Sequence, residues 1–244
     1  MFPTEEVTLP SKGLVYPEGN PLSKGVIEMK YMTAREEDIL TNESFIKKGI
    51  VIDKLLQSLI VTPINYNDLV SGDKNAIMIA ARVLGYGKDY TFEFAGETHT
   101  VDLTSVDDKE LQEEHMIEVG KNEFEFILPT VKKTITFRLL THGDDKKIEQ
   151  EIKGLKKAGQ GAQELTTRLK HMITSVDGDV TTKTIREFVD YGLLARDARE
   201  LRKYIDKIQP NVDLTFDLET EDGDVMEGVN IPIGISFFWP DAEL

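Results

Sequence analysis

Cysteine is absent from this 244-residue chain, which removes disulfide staples, thiol nucleophiles and thiolate-held metals from consideration. Long apolar runs are missing too. None approaches the roughly 20 residues a membrane helix needs, and Met1–Lys12 lacks the apolar segment of a signal peptide. Basic residues are in the minority, 29 against 44 acidic ones, for a net charge of −15. Phosphate backbones and anionic membranes require clustered Lys and Arg, so neither nucleic acid nor membrane is expected as a partner. The glycines form no GxGxxG, GK[ST] or GxSxG pattern, and no cofactor is expected. His99, His115, His142 and His171 fall in different predicted elements, without ligand spacing on one helix; a site assembled in three dimensions stays open. Asp177-Gly178-Asp179 opens like a calcium loop, but Phe188 stands where the closing glutamate belongs, so it reads as a turn.

What is present is densest from Met32 to Gly87. Thr33 with Glu36 is a capping box. Ile52, Leu55, Leu56, Leu59 and Ile60 recur at helical spacing. Gly72-Asp73 starts a further helix with Ala76, Ile77, Ala80, Val83 and Leu84 as its stripe, and Gly85 is its expected stop. Ahead of these, Met1–Pro21 reads as an extended arm with little strand content, packed on its own domain or on a neighbour, and Val26–Tyr31 alternates as a half-buried strand. Hairpins are expected at Asp89–Thr104, turning at Ala95-Gly96, and at Phe124–Leu140. Helices follow at Asp144–Lys157, Ala162–Ile173 and Thr182–Ile208, the last broken near Gly192, and strands at Val212–Leu218 and Val229–Phe237 flank the turn ETEDGD.

An internal echo is visible. Glu28–Thr33 with Glu36-Glu37 matches Thr136–Thr141 with Asp144-Asp145, and Asp89–Phe94 matches Asp213–Leu218. Generic capping chemistry gives the same likeness at any strand-to-helix junction.

Candidate chemistry is sparse. Glu36, Glu37 and Asp38 gather carboxylates at one helix start, where the helix dipole accounts for acid without catalysis. Arg196, Arg199 and Arg202 form the one locally basic patch, a solvated helix face or the rim of an interface, with Arg196–Glu200 and Arg202–Asp206 as expected pairs. Phe237, Phe238 and Trp239 crowd the last strand; neighbouring residues point to opposite faces, so one side closes the core and the other is free to meet a partner.

LPSKGLVYPEG, MTAREEDIL, IDKLL, GDKNAI and AARVLGYG, followed by ARDARELRKYI and FFWP, resemble in that order the baseplate-hub protein family of T-even-like contractile-tailed phages. The resemblance spans about Leu9 to Pro240. It implies a virion or tail-assembly role rather than an enzyme, with other baseplate, hub or tape-measure proteins as partners and self-association inside the hub left open. The implied location is the tail baseplate of the virion, with the host cytoplasm during assembly. Some family members carry paired cysteines at hairpins; Phe94–Glu97 and Leu218–Gly223 have none, so no metal site carries over.

Taken together, the sequence predicts an α+β protein: an arm over residues 1–24, then two similar lobes over 25–110 and 120–244, each with helices on short antiparallel strands. The expected function is a non-enzymatic structural part of a phage tail baseplate hub or its assembly. The alternatives are a transient assembly chaperone for the tape-measure or another hub protein, and a hydrolase using a carboxylate pair such as Glu36 with Asp38.

Overall fold

In the computed structural model, which describes residues 3–219, 225–233 and 237–239, the first element is a strand, β1 (Thr4–Thr8). It pairs antiparallel with β2 (Val26–Lys30), Glu5 opposite Met29 and Val7 opposite Ile27. The segment expected as an extended arm is therefore stitched into the fold, with Leu9, Val15, Tyr16 and Leu22 buried. Pro10 and Pro17 sit in the turns that follow and leave Thr4–Thr8 free of proline to pair. Gly13 lies between these turns at φ +79°, with the Ser23 backbone too close to admit a Cβ.

Thr33 then caps α1 (Ala34–Leu40). The Glu36 carboxylate accepts the Thr33 amide at 3.0 Å and the Thr33 hydroxyl at 2.6 Å, so the capping box closes mainly from the glutamate. A short helix, α2 (Glu43–Lys47), precedes α3 (Val51–Leu59), whose buried face is Val51, Leu55, Leu56 and Leu59. Ile60 does not share that face, because the chain has turned extended there and Ile60 bridges Met29. Next, α4 (Ser71–Tyr86) runs through Gly85, against which Met32 packs, and stops at Gly87, φ +86°. Strands β3 (Asp89–Phe94) and β4 (Glu97–Asp102) form the expected hairpin, turning at Ala95 and Gly96, both at positive φ as a tight hairpin turn demands.

The segment after β4 contributes β5 (Asp108–Lys109) and a 3-10 turn at Glu113–His115. The second expected hairpin is β6 (Phe124–Ile127) with β7 (Thr134–Phe137), followed by α5 (His142–Lys157) and α6 (Glu164–Met172). The sequence predicts helix through Ile173; instead the β-branched run there opens β8 (Ile173–Val176), a third strand on β7. After α7 (Thr182–Glu187) a π turn at Phe188–Gly192 makes the expected break before α8 (Ala195–Ile208). Strand β9 (Asn211–Val212) pairs with β5, and β10 (Thr215–Glu219) with β11 (Val225–Asn230). The last described strand thus begins earlier than the expected Val229–Phe237, Phe237 sits in a helical turn, and residues 234–236 of that expectation fall outside the described residues. Thr220–Asp224 of the expected turn, and Pro240, fall outside the described residues.

The chain is mixed α+β, as its sequence predicts, and parts of its two halves correspond, although the first opens on a two-stranded sheet and the second on a three-stranded one. Glu5 opposite Met29 and Val7 opposite Ile27 find their counterparts in Phe124 opposite Phe137 and Phe126 opposite Ile135. Ile60, the first residue after α3, bridges Met29; Ile173, the first after α6, pairs with Phe137. Lys30 holds the capping Glu36 at 2.8 Å as Arg138 holds the capping Asp144 at 2.7 Å. Each end hairpin is closed alike at 2.9 Å, Leu103 N–H to the Lys88 carbonyl and Ile231 N–H to the Leu214 carbonyl. The buried residues of both halves nevertheless belong to one continuous core, and the two end hairpins meet ring to ring, Phe92 to Phe216, at 5.2 Å.

Candidate functional site

Asp73, in the first turn of α4, is fully buried. It accepts the Ser11 amide at 2.9 Å, the Ser11 hydroxyl at 2.7 Å and the Tyr16 hydroxyl at 2.6 Å. Tyr16 in turn accepts the Val70 amide at 3.1 Å, which satisfies an N–H at the helix entrance. Burial pushes the Asp73 carboxyl up, against the pull of these hydrogen bonds, and drives the Tyr16 phenol up as well. Asp197 occupies the same place on α8, accepting the Thr130 amide at 2.7 Å and the Val131 amide at 3.1 Å. Burial opposes its ionisation, but the two amides hold its carboxyl below the usual range. Each carboxylate therefore clasps the loop that follows a first strand: Leu9-Pro10-Ser11 after β1, Leu128-Pro129-Thr130 after β6. This likeness escaped the sequence reading, because neither proline dipeptide predicts a carboxylate more than 60 residues away.

Glu36 and Asp38 do not assemble as an acid-base pair. Glu36 is buried against Lys30 and Thr33, while Asp38 faces solvent. Among the described residues no group of three or more His, Cys, Asp or Glu is arranged to hold a metal.

The histidines fall into separate settings. His99 packs among Phe92, Phe94 and Phe216 in the seam between the end hairpins. His115 lies edge-on to Tyr204 at 6.2 Å. His171 Nε2 is 2.8 Å from Glu151, which also takes both Arg186 nitrogens at 2.9 and 3.2 Å; the guanidinium chiefly holds the Glu151 carboxyl down to about 2. His142, the first residue of α5, is buried in a cluster drawn from both halves. Its Nδ1 lies 3.3 Å from Lys74 Nζ and its Nε2 3.3 Å from Asp53. Asp53 takes Lys74 at 2.7 Å and the Tyr66 hydroxyl at 3.1 Å, and the Tyr66 ring meets the imidazole edge-on at 4.8 Å. An ammonium donating to Nδ1 leaves the ring proton on Nε2, which is buried near Asp53 without a hydrogen bond among the described residues. No local motif announces four residues drawn from α3, the turn before α4, α4 and α5.

This cluster makes a pH prediction. Burial, then Lys74, with a smaller contribution from Lys146, lowers the His142 pKa from 6.5, while Asp53 and Asp145 oppose the shift. The unfolded chain therefore binds a proton that the folded chain resists, so stability falls as pH drops below about 6.5. His142→Gln is expected to flatten the part of a urea-denaturation profile between about pH 5 and 7. The steeper loss at lower pH should remain, because Asp53, Glu36, Asp144 and Glu151 all have lowered folded-state pKa values. An unchanged slope near pH 6 in the variant would contradict the assignment.

The residues expected at a partner surface divide. Phe237 and Phe238 are both buried, 0% and 3% exposed, so neither ring faces outward; the helical turn lets both enter the core where a strand would have split them. Trp239 is half-buried against the same core. Arg196, Arg199 and Arg202 are exposed on α8, opposite its buried Ala198, Leu201 and Ile205. Their expected partners are engaged elsewhere: Glu200 pairs with Lys203 at 3.0 Å and Asp206 accepts Gln209 at 3.4 Å.

No family model, no curated protein and no solved structure matches this chain. No helix among the described residues is long and apolar enough to cross a membrane.

Proposed function

We propose that this chain is a non-enzymatic component of the baseplate hub of a contractile phage tail, or of the assembly of that hub. The supporting observation is where the family-like runs meet. Ser11 and Tyr16 of LPSKGLVYPEG bind Asp73 of GDKNAI, Asp53 of IDKLL binds Lys74 of GDKNAI, and Arg82 of AARVLGYG donates to the carbonyls of Gly87 and Asp89. Asp197 of ARDARELRKYI clasps the loop after β6. The residues that carry the resemblance thus brace one architecture instead of lining a reactive cleft, which suits a part that works by shape and surface.

On this reading the partners are other hub or tape-measure proteins, and the location is the tail, reached by way of the host cytoplasm. The exposed Arg196, Arg199 and Arg202 would orient an acidic partner, mostly through association rate. Quantitative mass spectrometry of purified particles and of tail-assembly intermediates tests the proposal. Stoichiometric presence in particles supports a structural part. Presence only in intermediates turns the reading to a transient chaperone, and absence from both overturns it.

A further inference from the structure

The parts of the two halves that correspond in register can be compared, and at one place the first half is emptier. In the second half, the space between β6 and α8 is filled by Phe126 stacked on Tyr204 at 5.0 Å, and the chain itself touches the edge of the strand. Met116 bridges Phe124, the Ile117 amide donates to the Glu123 carbonyl at 3.2 Å, and His115 meets Tyr204. By strand register and helix start, Val7 on β1 and Ala80 on α4 hold the positions of those two rings. The smaller side chains leave a trench of about 380 Å³. Its floor is Ala76, Ile79, Ala80 and Val83 of α4; one wall is Glu5–Thr8, and the other includes Leu103, Val106 and Asp108.

None of the lining residues comes from β2, and among the described residues β1 pairs only with β2, so no described strand lies on the lining edge of β1. An unpaired edge beside an apolar floor is the setting in which an extended peptide adds a strand. The rim has one sign of charge, with Glu5, Glu6 and Asp108 all exposed. Partial burial first, and then the neighbouring Glu110 and Asp107, push the Asp108 carboxyl up, a shift that an incoming cation would oppose.

We propose that this trench receives an extended segment of another protein as a third strand on β1, with apolar side chains at alternate positions against α4 and lysine or arginine at the rim. In the second half the same space is occupied by the two rings, with Met116 of this chain bridged to the edge of β6 beside them. A partner segment would complete the first half in the same manner. The trench accepts such a segment whatever assembly supplies it, so the proposal stands apart from the tail reading.

Amide NMR of the full chain, titrated with short acetylated peptides, tests it. A peptide alternating valine with lysine is expected to shift the amides of Glu5–Thr8 and of the α4 floor, and to slow exchange along β1. A valine–glutamate peptide should bind at least about tenfold more weakly, and a valine–lysine peptide interrupted by proline should not bind. The double substitution Val7→Phe with Ala80→Tyr copies the filling of the second half and should abolish the shifts. Glu6→Lys, a surface change that leaves packing alone, should weaken binding severalfold and guards against misfolding of the double variant. Shifts away from the trench, no shifts, or equal binding of all three peptides would overturn the proposal. Concentration-dependent shifts of the same amides without peptide would also overturn it, assigning the trench to a second copy of this chain.

Discussion

Asp73→Ala is expected to destabilise the protein by about 3–5 kcal/mol, read as a fall in urea midpoint at constant m-value. Three donors lose their acceptor at once: the Ser11 amide, the Ser11 hydroxyl and the Tyr16 hydroxyl. A buried donor without a partner costs roughly 1–3 kcal/mol, and the sum is reduced because two of the three are hydroxyls that can turn. A domain of this size holds on the order of 5–15 kcal/mol in total, so the variant will sit near its folding threshold. Asp73→Asn, which keeps one acceptor and the volume, should cost less. A loss below about 1 kcal/mol for the alanine variant would mean that water replaces the carboxylate and that the clasp is not what anchors the first loop.

Phe237→Ala is the second large effect, about 3–5 kcal/mol, the usual range for emptying a buried ring site. Phe237 is fully buried, edge-on to Tyr90 at 5.0 Å and to Phe238 at 5.0 Å, so the last described turn seals the seam under β3. Trp239→Ala should cost clearly less, since that ring is only half-buried. The two variants separate a core role from a docking role. If Phe237→Ala leaves thermal stability intact, the aromatic tail does not close this core.

The regular parts of this fold were legible because local chemistry decides them. The Thr33 box, the helical spacing of Leu55, Leu56 and Leu59, and the Ala95-Gly96 turn each state their own conformation. The segment around β1 misled because prolines in its turns masked a five-residue strand between them and the terminus. Ile173 misled for a different reason: helical periodicity carries one residue too far when a β-branched strand follows without a break. The aromatic tail was legible as apolar but not as to its direction, since alternation assumes a strand and the backbone there is a turn. The buried cluster at His142 and the two carboxylate clasps were invisible, because each joins residues from distant elements whose meeting depends on the whole topology. The matches at Thr33 with Thr141 and Phe92 with Phe216 were legible as local likenesses, whereas the likeness in strand register was not.

The clasps also set a timetable for the growing chain. Ser11 waits for a carboxylate 62 residues ahead of it, and Thr130 for one 67 residues ahead. At a synthesis rate of about 5–20 residues per second, the stretch from Lys30 to Asp73 leaves β1 and β2 both out for roughly 2–9 s before α4 can pin the loop between them. A lone two-stranded hairpin is marginal in water, so through that interval the first strands form and dissolve with both edges open. Glu5 and Glu6 then have a task of their own: two neighbouring carboxylates on the waiting strand repel the same strand of a chain emerging from the next ribosome.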